Sequence, residues 1–135
     1  MTVHVRLRVG AEEYALPVEH VLEVVDVGSL AAVPGAPRAA LGVRNLRGQI
    51  LPVFDLAALL RIDGGDRRSR IVVAEERGRR VGLAVDDVSD VADLPEPAEE
   101  TESAFLRGAV LIGEALVGVL DPRRLLDLLE TEAAA

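Results

Sequence analysis

The sequence predicts a mainly β protein, built as two small linked β-barrels with short helices, and three observations predict it. Short apolar segments recur along the 135 residues, Gly-containing turns separate them, and helix-capping Asp residues open two short Leu-rich stretches. Many short strands at regular spacing indicate small barrels. The length fits a single domain, residues 1–135, or two interdependent subdomains, with segment 62–69 as the expected linker between them.

Val3, Val5, Leu7 and Val9 alternate with His4, Arg6 and Arg8, the period-two pattern of a strand with one buried face. Gly10 to Glu13 reads as a hairpin turn into Tyr14–Val18. From Glu19 to Val27 the apolar spacing fits either a short helix or a helical turn running into a strand. Val33 to Pro37 is a loop, because its two prolines lack donors and Gly35 permits a turn. Leu41–Val43 and Gln49–Phe54 read as strands flanking Arg44–Gly48, and Asp55 caps a helix over Leu56–Leu60. Arg70–Ala74 and Arg80–Val85 form a second hairpin around Arg77-Gly78, and strand character continues through Val88 and Val91. Asp93 to Glu102, with five acids and two prolines, is expected to be an extended exposed loop. A last hairpin spans Phe105–Ile112 and Ala115–Leu120, and Asp121 caps a terminal helix with Pro122 at its first position. Gly48–Leu60 and Gly113–Leu126 share one plan of glycine, strand, capping Asp and Leu-Leu helix, which suggests two similar halves.

Half of the residues are apolar but only 2% are aromatic, so the core is expected to be Val, Leu, Ile and Ala. Tyr14, Phe54 and Phe105 are the only large rings, which leaves few platforms on which bases or sugars stack. The absence of Cys excludes disulfides, thiolate metal sites and a Cys nucleophile. A net charge of -8 argues against a nucleic-acid partner. The start, Met1 to Arg6, does not read as a signal peptide, and no stretch approaches the ~18 apolar residues of a membrane span. The expected location is cytoplasmic, with no direct membrane insertion.

His4 and His20 are isolated and expected to face outward or sit at element ends, whereas zinc needs three or four converging ligands. Asp86 and Asp87 are neighbours in a strand, so their carboxylates point to opposite faces and do not converge on one bond. Gly64-Gly65 is flanked by Asp63 and Asp66, whose charges repel phosphate. No Ser lies in a nucleophile-elbow pattern. The sequence therefore predicts no catalytic residues, no metal and no cofactor, and a protein that is not an enzyme.

The stretch Leu41-Gly-Val-Arg-Asn-Leu-Arg-Gly-Gln-Ile-Leu-Pro-Val-Phe-Asp-Leu56 resembles the signature of the CheW family of chemotaxis adaptors. Glu13–Val24, Val81–Val88 and Leu120-Asp121 before a Leu-rich helix match in the same order, so the resemblance spans residues 3 to 130. It implies two intertwined, five-stranded, SH3-like barrels with a hydrophobic groove between them, and no enzymatic activity. It also implies two partners, the regulatory domain of a CheA-type histidine kinase and the cytoplasmic tip of methyl-accepting chemoreceptors, with the protein held at the inner face of the membrane through receptor arrays. The output is flagellar chemotaxis or, alternatively, a pilus or gliding pathway.

Val21, Glu23, Gly42 and Arg47 match family positions associated with receptor or kinase contact. Each has a plainer role open to it: Val21 as core, Gly42 as a backbone requirement, Arg47 as an arginine bonding loop carbonyls. Arg44 replaces an aliphatic residue of the family pattern, a departure that bears on partner specificity more than on fold. Receptor tips are helical hairpins, and helices dock by apolar anchors in apolar grooves. Val21 and Val85 are the expected aliphatic lining of the groove, and core packing suits each equally well.

Overall fold

The computed structural model describes residues 1–63, 68–97 and 103–134, with side chains through Glu130. The strands are β1 (Thr2–Val9), β2 (Glu12–Pro17), β3 (Val21–Asp26), β4 (Ala40–Leu46), β5 (Gln49–Asp55), β6 (Arg70–Glu76), β7 (Arg79–Val85), β8 (Asp87–Leu94), β9 (Leu106–Ile112) and β10 (Ala115–Leu120). Helix α1 (Leu56–Leu60) follows β5 and α2 (Pro122–Ala134) follows β10. Of the two readings open for Glu19 to Val27, the second is found: a 3-10 turn, Val18–His20, feeds β3. Strand β4 runs on to Leu46, so the segment expected between strands reduces to an Arg47-Gly48 turn.

Two five-stranded sheets result, ordered β8-β1-β2-β10-β9 and β3-β6-β7-β5-β4. The second is contiguous in sequence, while the first joins strands from both ends of the chain. The barrels are therefore intertwined, and the chain passes between them at Pro17–Val21 and at Val85–Asp87. This corrects the expected linker. Segment 62–69 joins α1 to β6 within the second barrel, and its residues 64–67 lie outside the described residues. The structure also separates β8 from β7: strand character continues past Asp86-Asp87 through Val88 and Val91, yet the two strands lie in different sheets. The expected acidic loop starts later than its composition indicated, since β8 holds Asp93 and buries Leu94 at 1% exposure; residues 98–102 of it lie outside the described residues.

The two-halves pattern is realised as a permuted repeat. Strand β5 pairs antiparallel with β4 and parallel with β7, and β10 pairs antiparallel with β9 and parallel with β2. In each half the backbone N–H of the capping Asp donates to a carbonyl just before the paired strand: Asp55 to Ala39 at 2.7 Å and Asp121 to Phe105 at 2.8 Å. The caps then accept from Ala57 N at 3.2 Å and from Arg124 N at 3.1 Å, starting α1 and α2. Bulges recur at matching places, between Val21 and Glu23 in β3 and between the residues opposite Arg6 and Leu7 in β8.

The largest core cluster lies between the sheets, where Leu7, Leu16, Phe54, Val72, Leu83 and Leu120 meet the buried leucines of α1 and α2. The second barrel fills its own interior with Leu51, Val53, Ile71, Val73 and Ala84. The first has a smaller apolar interior, Ala15, Leu94 and Val117. His4 and Arg6 share that inner face, since Arg6 lies directly opposite Ala15. His4 is thus 3% exposed, not outward, and its Nδ1 lies 2.7 Å from the Thr2 carbonyl. Alternation does set His4 against Val5, but both faces of a curled sheet are covered. His20 meets the expectation of an element end, with Nδ1 3.0 Å from the Glu75 carbonyl.

Candidate functional site

Glu23 and Arg47 are brought together from β3 and the β4–β5 turn. Arg47 and Gly48 have φ of 51° and 83°, the pair of left-handed conformations that a tight two-residue hairpin requires. Asn45 Oδ1 accepts from Gly48 N at 2.9 Å and braces the turn. The turn carries Arg47 back over the edge strand, where its Nη1 and Nη2 donate to Oε2 and Oε1 of Glu23, the second at 2.9 Å. This fork is the geometry in which guanidinium and carboxylate bond most strongly. The hydrogen bond from Arg47 holds the Glu23 carboxyl below the usual carboxylate range, and the same bond raises Arg47. Arg47 therefore bonds a side chain; the hairpin arginine that bonds loop carbonyls is Arg44, whose Nη1 donates to Asp26 O and, at 3.0 Å, to Val27 O. With the Ala31–Val43 bridge, Arg44 fastens the end of β3 to β4.

Around the fork, Leu22, Leu46, Ile50, Leu51 and Val73, with Gln49 and Arg80, enclose a depression of about 230 Å³. Ile50 is 66% and Leu22 45% exposed, so an aliphatic patch lies open to solvent beside a fixed ion pair. Apolar contacts flanked by oriented charge suit recognition of another protein.

The remaining expected site residues lie elsewhere. Gly42 is buried, with φ of 149°, and a Cβ there would stand 2.5 Å from the Ala31 carbonyl oxygen. The backbone at this position therefore requires glycine. Val21 is half-buried against the margin of the intersheet core. Val85 is fully buried in that core, which corrects its expected place on a groove wall: β7 is a central strand covered on both faces.

An open cleft does exist at the junction of the barrels, about 990 Å³ in volume, but neither Val21 nor Val85 lines it. Its floor is formed by α1 residues Ala57, Ala58 and Leu59, by Phe105 before β9, and by Leu128 of α2. Arg68 and Asp55 stand in its wall. Arg68 forks onto Asp55, Nε to Oδ1 at 2.7 Å and Nη2 to Oδ2 at 3.1 Å, and its Nη1 lies 3.5 Å from Asp86 Oδ1. Asp86 Oδ2 accepts from Gly10 N at 2.8 Å, so one chain of contacts ties the β1–β2 turn of the first barrel to α1 of the second. Sequence reasoning weighed Asp86 only as a catalytic acid and missed this strap, because its members are far apart in sequence and carry no local pattern.

Among the described residues, no group of three or more His, Asp or Glu converges to hold a metal, and no helix is long and apolar enough to cross a membrane. The geometry offers surfaces and clefts braced by ion pairs. These features define a class, a β-barrel protein-interaction module. The chain matches the CheW-like domain family over residues 4–130 and belongs to it. It is 34% identical over 140 residues to a probable chemotaxis protein CheW of Rhizobium etli, covering 96% of this chain and 90% of that one. It is 35% identical over 91 residues to protein FrzA of Myxococcus xanthus, covering 65% of this chain and 59% of that one. The crystal structure of the scaffolding protein TtCheW from Thermoanaerobacter tengcongensis superposes with a TM-score of 0.80 at 30% identity, over 89% of this chain and 88% of that one. As a member of this family the chain is a chemotaxis scaffold or adaptor without enzymatic activity.

Proposed function

We propose that this adaptor couples the cytoplasmic tips of chemoreceptors to the regulatory domain of a CheA-type histidine kinase, in the cytoplasm at the inner face of the membrane. The observation that carries this reading is the presence of two separate surfaces on one braced fold. The Glu23–Arg47 face on the second barrel is the proposed kinase contact, and the cleft over α1 is the proposed receptor contact. Ion-paired charge beside aliphatic residues selects a folded partner, and an open cleft lined in part by apolar side chains suits an amphipathic helix. A relative named FrzA rather than CheW favours a second reading, the same coupling in a non-flagellar pathway.

Calorimetry against the regulatory domain of each CheA-type kinase of the source genome tests the proposal. Saturable binding in the micromolar range is expected from one of them, and a receptor-tip fragment is expected to bind the preformed pair. If no such kinase binds at tens of micromolar, the coupling function is wrong. The kinase that binds, and the motility genes beside it, separate the two outputs.

A further inference from the structure

Every one of the 15 cationic side chains is an arginine, in a chain that carries 23 acids. Most of the described arginines are committed: Arg6 to Glu13, Arg44 to carbonyls, Arg47 to Glu23, Arg68 to Asp55, Arg70 to Asp26, Arg79 to α2, Arg80 to Glu75. The side chains of Arg38 and Arg61 have no hydrogen bond or ion pair among the described residues, although both are exposed in an acidic protein. Both line the cleft at the barrel junction. One of the cleft's acids, Asp55, is already neutralised by Arg68.

Arg61 carries a second mark. It ends α1 with φ of 57° and ψ of 42°, and its N–H bonds to the carbonyls of Ala57 and Ala58. Gly or Asn adopts this left-handed position at lower cost than an arginine does. Such backbone outliers cluster where a side chain is needed for recognition.

We propose that Arg38 and Arg61 read charge at the mouth of the cleft, and that the cleft takes an amphipathic helix whose apolar stripe is flanked by carboxylates. This rests on the reading of the cleft as the receptor contact and adds the chemistry of the segment that enters it. The apolar part of the lining that is open to solvent, exposed Ala58 with half-buried Phe105 and Leu128, receives the stripe. The two free guanidiniums receive the flanking acids, while the net charge of -8 on the whole chain repels acidic segments from other approaches.

The test uses the full chain and a receptor cytoplasmic-tip fragment. In the double variant Arg38→Gln/Arg61→Asn the second substitution keeps a residue that tolerates the left-handed backbone. Its Kd for the fragment is expected to rise about ten-fold at low ionic strength, and the difference to shrink below about three-fold at high salt. Binding of the kinase domain is expected to stay within about two-fold of the parent, because rim charges act locally once screened. An unchanged Kd at low salt, or a loss equal at both salt concentrations, overturns the assignment of the arginines. Ala58→Trp, which fills the floor, separates the two levels. If it blocks the fragment while the double variant does not, only the arginine assignment fails; if the fragment binds Ala58→Trp normally, the cleft is not the receptor contact.

Discussion

Glu23 and Asp90 occupy equivalent positions in the two barrels, each just past a bulge in an edge strand, yet each meets an arginine from a different place. Opposite Glu23 stands Val73, and its cation comes from the hairpin tip, Arg47. Opposite Asp90 stands Arg6 itself, 3.7 Å away through Nε and also bonded to Glu13 at 2.7 Å. The first barrel thus answers its acid from within the adjacent strand. Only the second carries its cation to a hairpin tip, where Ile50 and Leu22 lie beside it. Repetition of the fold leaves these equivalent faces of the two barrels chemically distinct.

Charge reversal at this pair is expected to separate binding from folding. Glu23→Lys and Arg47→Glu should each weaken the kinase complex by about five-fold or more, with far-ultraviolet circular dichroism unchanged. Arg47 is 74% exposed on its side chain, so unfolding of Arg47→Glu would contradict the surface role assigned here.

The same pair has a definite pH behaviour. The folded carboxyl of Glu23 lies below the ordinary 4.5, mainly through its hydrogen bond from Arg47. Whatever the pair adds to stability is therefore complete above the unfolded value and disappears as pH falls through the lower folded one. In an NMR titration the Glu23 carboxyl of Arg47→Gln should move up toward the ordinary value, and an unmoved titration would remove the fork as the cause.

Gly42→Ala is expected to destabilise strongly, by about 2–4 kcal/mol in chemical denaturation, since a Cβ meets backbone at 2.5 Å and φ is unfavourable. Gly113→Ala, where φ is 61° but nothing lies within 4 Å, should cost only about 1–2 kcal/mol. Equal losses would show that steric closure against Ala31 is not what Gly42 provides.

Val85→Asp places a carboxylate among fully buried apolar groups and is expected to abolish the cooperative melt. Val21→Asp, at the half-buried margin, should lower the melting temperature yet leave a folded protein. A folded Val85→Asp variant would overturn its place in the core.

Arg68→Ala leaves Asp55 and Asp86, 15% and 17% exposed on their side chains, without their cation. A loss of about 1–3 kcal/mol is expected, with faster amide exchange at Gly10, the far end of the strap. Unaltered exchange at Gly10 would show that Arg68 does not brace the β1–β2 turn through Asp86.

Local chemistry made most elements legible before the structure. The Asp55 and Asp121 caps, the alternation in β1 and the Arg77-Gly78 turn are readable because their causes lie within a few residues. The permuted pairing was not readable: Val119 lies beside Ala15, and no periodicity records contact across that separation. The fork was half legible, since family resemblance singled out Glu23 and Arg47 separately but not that they bond each other. Val85 was misplaced because a strand covered on both faces loses the alternation that distinguishes wall from core.

The permuted layout also has a temporal meaning during synthesis. The second barrel, Val21 to Val85, is complete as soon as its own strands have emerged, whereas β2 must wait for β10, its parallel partner. At a translation rate of about 5–20 residues per second, the interval between Val85 and Leu120 lasts roughly 2–7 s. Through that interval β2 lacks its partner on the β10 side, and Leu7, Tyr14 and Leu16 lack the late part of their core cluster, Leu120, Leu125, Leu126 and Leu129, so closure of the first barrel waits on the last strand and helix to be made.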